Sequence, residues 1–293
     1  MQRGAMSVHA GTRTSTMDAC QLCGGIDVEP RPRETALACL PPGSGVVRCQ
    51  GCGLQFASPQ VMPTYEADYY HSFGRYSADH VTHMQRLFRG RLERLARVAP
   101  RGRLLDVGCA EGLFMTEARA RGWNVAGLEL SKWASEQARE RGFDVRQGSV
   151  DDADFPPRSF AVIHMSHVLE HLPRPVTSLR KLRSWLAPKG VLALEVPYEF
   201  YDLGEGLLAL LGRPRPAKPS SASHFFFFSP RTLSACLERA AFRPLTVRTP
   251  RDPYIVRHPA KRLVFRAVGM AERMLRRGPV IEALARPIDG AGA

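Results

Sequence analysis

The chain has 293 residues, 44% of them hydrophobic, and a formal net charge of +13 at pH 7, values that fit a soluble globular protein with one full α/β domain and a smaller appendage. No apolar run reaches the roughly 18 residues needed to span a bilayer, and the first twenty residues lack the apolar core of an export signal. These features argue against a membrane-spanning or exported protein, so a cytoplasmic location is the default expectation.

The positive charge comes mainly from arginine and is spread along the chain without a block of five or six like charges. Such a distribution is typical of a solvated surface. Nucleic acid, anionic lipid and acidic small molecules remain alternative partners. The most basic stretches are residues 213–219 and 257–277.

Two copies of the motif C-x-x-C-G dominate the N-terminal part, where residues 1–17 are predicted to be a disordered tail and residues 18–62 a small module. The copies read Cys20-Gln-Leu-Cys23-Gly24 and Cys49-Gln-Gly-Cys52-Gly53. Two residues between thiolates allow one tight turn to present both sulfurs to one ion, and the glycine that follows tolerates a positive φ. Four thiolates form a closed tetrahedral shell, which predicts a structural Zn²⁺ site and a zinc-ribbon module.

Disulfides are the alternative for these cysteines. The chain has seven cysteines, an odd number, and no export signal precedes them, so metal binding is favoured. Cys39 lies between the two pairs and is predicted to be a spectator.

Residues 63–100 are predicted to form an aromatic and helical cap segment. Its aromatic cluster leads into an amphipathic, arginine-rich helix over residues 79–98. The cluster consists of Tyr65, Tyr69, Tyr70, Phe73 and Tyr76.

From residue 101 to 250 the pattern alternates between apolar strands and amphipathic helices. Repeated β-α-β units predict an α/β domain with a doubly wound, mostly parallel sheet and helices on both faces. Strands are expected at 104–108, 124–130, 144–150, 159–168, 191–197 and 244–249, and helices after residue 112, after residue 130 and near 174–187 and 230–241. Ligands of such sheets bind at the carboxyl ends of the strands.

Two further segments interrupt or follow this pattern. Residues 198–223 are rich in glycine, proline and serine and are predicted to form a lid insertion. Residues 251–293 are predicted to be a basic C-terminal tail, a candidate for peripheral contact with an anionic membrane or a partner.

The loop after the first strand of the domain has the features of a nucleoside-binding site. Gly108 permits a tight turn, Gly112 lets the start of the helix pass close to a ligand, and Glu129 ends the second strand, where a carboxylate can accept both ribose hydroxyls. A nicotinamide cofactor is the alternative, but the spacing D-x-G-x-x-x-G differs from G-x-G-x-x-G. The negative charge of Asp106 would repel phosphates and suits a sulfonium cofactor that carries an ammonium group.

These residues resemble the class I S-adenosylmethionine-dependent methyltransferases. DVGCAEG (106–112) is similar to the first motif of the family, GLELS (127–131) to the second, SFAVIHMSHVLEHLPRP (159–175) to the motif after the fourth strand, and LAPKGVLALEVP (186–197) to the fifth-strand turn. RCQGCGLQFASP (48–59) resembles members with an N-terminal zinc ribbon, which include sugar C-methyltransferases and other small-molecule enzymes. The resemblance covers about residues 18–245.

The resemblance implies a Rossmann-like fold, S-adenosylmethionine as cofactor and a set of cofactor-binding positions. Asp106 and Gly108 would lie at its methionine end, Glu129 at the ribose, Ser149 and Val150 beside the adenine, and Met165 and Ser166 beneath the sulfonium. The full predicted cofactor-binding set is Asp106, Gly108, Cys109, Gly112, Glu129, Leu130, Ser149, Val150, Met165, Ser166 and Tyr76.

His167, Glu170 and His171 follow the fourth strand and are the predicted catalytic residues. A hydroxyl or carbon acceptor needs a base, and the pKa of histidine suits that role. We therefore expect His171 or His167 to take the proton and Glu170 to orient the imidazole. Binding of a divalent ion by this triplet is the alternative, as in some quinone O-methyltransferases that the chain resembles, although His167 stands where those proteins have a glutamate.

The predicted function is methyl transfer to a hydroxyl or carbon of a small-molecule acceptor, such as a sugar, a polyketide or another specialised metabolite. A nucleic-acid-binding or nucleic-acid-modifying protein is the alternative from another class. The absence of an interleaved basic and aromatic surface argues against it, as does Ser166-His167-Val168-Leu169 in place of the Asn/Asp-Pro-Pro-Tyr/Phe motif of base methyltransferases. A catalytically silent scaffold is a third reading, which the intact cofactor loop disfavours.

Overall fold

The structure is a computed structural model, and it describes residues 14–15, 19–38, 40–61, 78–200, 224–250 and 278–288. Several predicted features lie outside these residues: Cys39, the aromatic cluster with Tyr76, most of the lid insertion and most of the basic C-terminal segment.

The N-terminal part is built from short strands around one short helix. The elements are β1 Thr14–Ser15, β2 Val28–Pro30, α1 Pro32–Leu37, β3 Gly45–Cys49, β4 Gln55–Ser58 and β5 Gln60–Val61. Strands β2, β3 and β4 form an antiparallel sheet, and β1 pairs with β5. The predicted disordered tail over residues 1–17 is therefore wrong for residues 14–15, which form backbone pairs with residues 60–61.

Helix α2 leads into the α/β domain and covers one face of its sheet. It spans Ala78–Val98 and buries Phe88, Leu92 and Leu95 on one side. These side chains pack with Phe114 and Trp123 in one apolar cluster. Burial of each large apolar side chain contributes about 1.5–3 kcal/mol, and the amphipathic period of this segment predicted the helix.

The domain continues with alternating strands and helices. They are β6 Arg103–Val107, α3 Leu113–Arg119, β7 Asn124–Glu129, α4 Lys132–Glu140, β8 Asp144–Gln147, β9 Phe160–Ser166, a 3-10 turn Leu169–His171, α5 Pro175–Trp185, β10 Leu186–Pro197, β11 Phe226–Phe227, α6 Pro230–Arg239, β12 Phe242–Arg248 and β13 Val280–Pro287. Local signals fix several starts: Ser131 caps α4, Ser229 and Thr232 form a capping box at α6, and proline begins α5 and α6.

Seven strands form the central sheet in the order β12-β13-β10-β9-β6-β7-β8. Strands β8, β7, β6, β9 and β10 run parallel, and β13 runs antiparallel to both of its neighbours. Strand β9 lies in the middle and is buried along almost its whole length, as expected for a strand covered on both faces. The predicted mostly parallel α/β fold is confirmed.

Strand β13 corrects the prediction of a basic tail over residues 251–293. Its side chains Ile281, Ala283 and Ala285 are at most 1% exposed, and they alternate with Glu282, Leu284 and Arg286. The segment completes the sheet by inserting between β10 and β12. Its apolar residues are small and its flanks are charged, so the period-two pattern gives only a weak strand signal in the sequence.

Strand β11 adds a strand from outside residues 18–62 to the N-terminal sheet. Phe226 and Phe227, part of the four-phenylalanine run, pair with Phe56 and Gln55 of β4. The N-terminal sheet therefore has four strands in the order β11-β4-β3-β2, and one of them comes from the α/β part of the sequence.

One apolar core also joins the two parts. Cys20, Leu54 and Phe56 from the N-terminal part belong to the same buried cluster as Leu169 and Phe225. Among the described residues, no helix combines the length and the apolar character that a membrane span requires.

Candidate functional site

The loop between β6 and α3 depends on two glycines. Gly108 has φ +71°, and a Cβ atom there would lie 2.3 Å from Cγ2 of Val168. Gly112 caps α3 with φ +82°, and a Cβ there would lie 3.1 Å from the ring of Phe143. Both positions therefore need glycine, which lets the backbone turn closely at the carboxyl end of β6.

Glu129 ties this loop to the neighbouring strand β7. Its carboxylate is almost fully buried and accepts hydrogen bonds from the backbone N–H groups of Ala110 (2.8 Å) and Ser131 (2.9 Å). A carboxylate offers about four lone-pair sites, so both oxygens retain the capacity to accept from ribose hydroxyls. Leu130, the next residue, is 45% exposed, which suits contact with a flat apolar ligand.

Asp106 is engaged inside the protein. Its Oδ1 lies 2.7 Å from Nδ1 of His164, and Nε2 of His164 lies 2.9 Å from Nη1 of Arg91. Because a guanidinium only donates, Nε2 accepts and Nδ1 carries the proton that His164 donates to Asp106. The His164 ring also stacks on Phe114 with 3.7 Å between centroids. Sequence reasoning missed His164 and Arg91, because their contacts depend on the register that places Asp106 beside His164.

The other predicted cofactor positions lie at neighbouring strand ends. Ser149 follows β8 and its Oγ lies 2.6 Å from Oδ2 of Asp152. Ser166 ends β9 and donates to Oε1 of Glu195 (2.8 Å). Val150 and Met165 are buried, as is Cys109. Burial and the carboxylates of Asp106 and Glu129 raise the pKa of the Cys109 thiol, so this cysteine is neutral.

His167 stands at the end of β9 between two carboxylates. Nδ1 lies 3.5 Å from Oε1 of Glu170, and Nε2 lies 3.4 Å from Oε1 of Glu195. Desolvation of the imidazole opposes its charged form, although the side chain is half-exposed, and the carboxylates of Glu170 and Glu195 raise the pKa of His167 to about 10. Its backbone φ is +55°, in the sparsely populated left-handed region. The raised pKa favours the protonated form of His167 near neutral pH.

Glu170 is a fully buried carboxylate beside three histidines. Neither of its oxygens has a hydrogen-bond partner among the described residues, and Nε2 of His171 lies 3.9 Å from Oε1. Burial would raise the pKa of Glu170, but His167, His171 and His224 together hold it below its ordinary value. Glu170 therefore favours its ionised form and faces its histidine neighbours.

His224 completes this cluster from a distant part of the sequence. Its ring meets the ring of His171 edge to face, with 4.7 Å between centroids, and its Nδ1 lies 3.2 Å from both carboxylate oxygens of Glu199. The ligand atoms of Glu170, His171 and His224 all lie within 4.8 Å of one another. The predicted catalytic set lacked His224 and Glu199. The only sequence signal was a histidine before the phenylalanine run.

Arg91 connects the residues at the loop after β6 with the histidine cluster after β9. One side of its guanidinium contacts His164, and the other forms a buried ion pair with Glu195. Burial would raise the pKa of Glu195, but His167 and Arg91 lower it well below its usual range. A continuous polar network therefore runs from Asp106 at the cofactor loop to Glu170 at the histidine cluster.

The four predicted metal ligands, Cys20, Cys23, Cys49 and Cys52, meet in one place. Their sulfurs lie within 4.8 Å of one another, with Sγ–Sγ distances of 3.6 Å from Cys20 to Cys52 and 3.4 Å from Cys23 to Cys49. Every described cysteine is free. A tetrahedral ion with metal–sulfur bonds of about 2.3 Å holds its sulfurs about 3.8 Å apart, so these residues fit a zinc ion.

The glycines of the two motifs have the predicted conformation. Gly24 and Gly53 have φ +77° and +82°. The N–H of Gly25 donates to Sγ of Cys23 at 3.4 Å, and a Cβ at Gly25 would lie 3.3 Å from that sulfur. Each C-x-x-C-G turn therefore curls its backbone around the sulfurs, as metal-binding turns do.

Residues 80–247 match the sequence profile of the methyltransferase domain family. The match covers more than half of the chain. The chain belongs to this family. The matched range runs from α2 to β12 and contains the cofactor loop, Glu129 and the cluster after β9.

Two relatives in the methyltransferase family show the extent of the similarity. A ubiquinone biosynthesis O-methyltransferase of Xanthomonas campestris pv. campestris (strain B100) is 35% identical over 161 residues, which are 50% of this chain and 64% of the relative. The enzyme of the same name from Actinobacillus pleuropneumoniae serotype 7 (strain AP76) is 33% identical over 101 residues, 31% of this chain and 43% of the relative. The chain therefore spans less than two thirds of the length of these relatives.

Solved methyltransferase structures have the same fold. An S-adenosylmethionine-dependent methyltransferase from Archaeoglobus fulgidus superposes with a TM-score of 0.52 at 20% identity and covers 76% of this chain and 99% of its own. A second, from Mesorhizobium loti, gives 0.50 at 18% identity, with 67% and 96% covered. At these identities the likeness establishes the fold alone.

Proposed function

We propose that the protein transfers the methyl group of S-adenosylmethionine to a hydroxyl oxygen of a small-molecule acceptor. One observation carries the proposal: the glycine loop with Glu129 and the histidine–glutamate cluster lie at the carboxyl ends of adjacent parallel strands of one sheet. Ligands of such sheets bind at these ends. A nucleoside held at the first group would place its reactive end toward the second.

The residues at the loop fit this cofactor. Glu129 would accept the ribose hydroxyls, exposed Leu130 would contact the adenine, and the backbone at Gly108 would pass close to the methionine part. Bound S-adenosylmethionine supplies an electrophilic methyl group. The remaining predicted contacts are proposed for Asp106, Cys109, Gly112, Ser149, Val150, Met165, Ser166 and Tyr76.

The protein would position the acceptor relative to the cofactor and would supply a base. Methyl transfer requires the nucleophile to be held in line with the methyl group. His171 would take the proton of the acceptor hydroxyl, and the ionised carboxylate of Glu170 would stabilise the resulting imidazolium. Protonated His167 would keep Glu170 and Glu195 in place. The names of the relatives in the family favour a hydroxyl acceptor, whereas a carbon acceptor and a sugar or polyketide substrate remain the alternatives.

A divalent cation is the second candidate for the same cluster. The unpartnered oxygens of Glu170 and the nearby His171 and His224 offer one carboxylate and two imidazoles, and Glu199 would orient His224 as metal-binding histidines are usually oriented. Titration with Mn²⁺, followed by electron paramagnetic resonance, separates the two roles. Stoichiometric binding that His171→Ala abolishes would favour the metal, and no binding would favour the base.

We also propose that Cys20, Cys23, Cys49 and Cys52 hold one structural Zn²⁺ ion. A closed four-thiolate shell leaves no position for a substrate. Elemental analysis should find one zinc per chain in the wild type and none in Cys49→Ser. One zinc per chain retained in Cys49→Ser would refute the site.

The proposed activity is tested by incubating the protein with methyl-labelled S-adenosylmethionine and a panel of phenols, sugars and polyketides. We expect labelled product from a hydroxyl-bearing acceptor in the wild type and not in Glu129→Ala. Labelling only of nucleic acid, or of carbon in every productive acceptor, would contradict the proposal.

A further inference from the structure

We propose that the N-terminal cysteine module, residues 19–61, holds the acceptor side of the active site in position. The inference rests on the proposed function, because that function identifies the histidine cluster as the acceptor side. It gives the cysteine site a role beyond stabilising its own segment.

A chain of backbone hydrogen bonds connects the module to the catalytic cluster. The N–H of Ala57 in β4 donates to the carbonyl of Phe225 (2.9 Å), and the N–H of Phe225 donates to the carbonyl of Glu170 (2.8 Å). Phe225 is therefore fixed on one side by the module and on the other by the residue whose carboxylate lies at the centre of the cluster.

His224 directly precedes this clamped residue. Its ring is buried against His171 and its Nδ1 faces Glu199. Because one peptide bond separates His224 from Phe225, a shift of Phe225 would carry the ring of His224 away from His171. The module thereby sets the geometry of the cluster without contributing a side chain to it.

Strand β11 depends on the module. It has two residues, and in the part of the chain that the structure describes it pairs only with β4. A two-residue strand is too short to be stable without a partner. Packing reinforces the pairing, since Phe56 of the module lies against Phe226 with 6.4 Å between ring centroids, and both are buried.

The cysteine site in turn stabilises the module. The second C-x-x-C-G turn starts at Cys49, the last residue of β3, and the first turn precedes β2, which pairs with β3. In isolated zinc fingers the free energy of metal binding is the free energy of folding, and small domains with few apolar residues need such a stabilising cross-link. Loss of the metal should therefore loosen β3 and β4 and, through Ala57, release Phe225.

The cofactor side is built from other groups. Glu129 accepts a hydrogen bond from the N–H of Ala110 in the loop after β6, and Asp106 is held by His164, whose other ring nitrogen contacts Arg91. Damage to the module is thus expected to disturb the acceptor side and to spare cofactor affinity.

The experiment compares Cys49→Ser with wild type and with Cys39→Ser, the matched control at the module's cysteine outside the predicted ligand set. Amide exchange of Phe225 is followed by NMR, and affinity for S-adenosylhomocysteine by calorimetry. In Cys49→Ser we expect exchange of the Phe225 amide to accelerate about tenfold or more, since local opening becomes easier. The dissociation constant for S-adenosylhomocysteine should stay within about threefold, because the backbone contact from Ala57 reaches Phe225 and Glu170 and not the loop at Glu129.

A second variant, Ala57→Pro, removes the N–H that contacts Phe225 and leaves all cysteines in place. It should give the same acceleration at Phe225 while zinc content stays at one per chain. An unchanged exchange rate of the Phe225 amide in both variants would overturn the inference. A variant that exchanges this amide faster and also loses affinity for S-adenosylhomocysteine would overturn it as well. Failure of the wild type to bind S-adenosylhomocysteine would instead contradict the proposed function. The two failures can be told apart, because amide exchange is measured without that ligand.

Discussion

His171 is the residue on which the proposed chemistry depends most directly. Its Nε2 lies 3.9 Å from Oε1 of buried Glu170 and its ring meets the ring of His224 edge to face, so it lies inside the cluster at which we expect the acceptor to bind. General-base catalysis typically contributes about 10²–10⁴-fold in rate. We expect His171→Ala to lower kcat at least about tenfold, with an unchanged dissociation constant for S-adenosylhomocysteine.

Steady-state kinetics with a productive acceptor and calorimetry make this measurement. Glu136→Ala, on the exposed surface of α4, serves as the control. Unchanged kcat in His171→Ala would remove this residue from the mechanism.

His164 is predicted to stabilise the cofactor loop rather than to react. His164→Ala leaves Asp106 and one side of Arg91 buried without a partner, which typically costs about 2–4 kcal/mol. His164→Asn can still donate to Asp106 and should lose less. Urea unfolding of the two variants compares the losses, and equal losses would show that the bond to Asp106 contributes nothing.

The raised pKa of His167 predicts that the stability of the folded protein depends on pH. The pKa of this residue is raised from 6.5 to about 10 in the folded state, so its contribution is fully present below about pH 6.5 and is lost as pH rises toward 10. The difference in unfolding free energy between wild type and His167→Gln should therefore shrink steadily from pH 6.5 to pH 10. A difference that is constant or grows over this range would show that the imidazolium is not the stabilising form.

At the scale of elements, Gly108 in the loop after β6 and Gly122 between α3 and β7 form a matched pair of glycines. Gly108 and Gly122 have φ +71° and +78°, but a Cβ at Gly122 would meet no atom within 4 Å. Gly122→Ala should cost about 1–2 kcal/mol, from backbone strain alone. Gly108→Ala adds the clash with Val168, so it should cost more and also weaken S-adenosylhomocysteine binding.

Thermal unfolding and calorimetry compare these two variants. Gly108→Ala combined with Val168→Ala should recover part of the loss, because the clash is removed. Equal effects of the two single substitutions would contradict the close approach of Val168 to the loop.

The elements also show what the sequence could and could not reveal. Alternating apolar strands and amphipathic helices predicted β6 to β10 and their helices, because each pattern is local. Strand β13 was missed because small alternating residues such as Ala283 and Ala285 give a weak signal. Its position between β10 and β12 depends on pairing with distant strands.

The site divides in the same way. The cysteine turns and the glycine loop were predictable because the residues that form each of them are only a few positions apart in the sequence. Arg91, His164 and Glu195 were not, since each acquires its role only when the fold brings it to its partners.

At the scale of the whole molecule, the net charge of +13 raises the question whether the arginines form one basic surface. Arginines of the described residues, such as Arg31, Arg94 and Arg248, pair with carboxylates instead of forming one uncompensated surface. Part of the charge of these arginines is therefore compensated within the protein.

The central claim is that the carboxyl ends of β6 and β7 bind the nucleoside of S-adenosylmethionine. The most direct test is calorimetric titration of the purified protein with S-adenosylhomocysteine and, separately, with NADH. We expect saturable one-to-one binding of S-adenosylhomocysteine that Glu129→Ala weakens, and no heat from NADH. Binding of NADH with no response to S-adenosylhomocysteine would contradict the account.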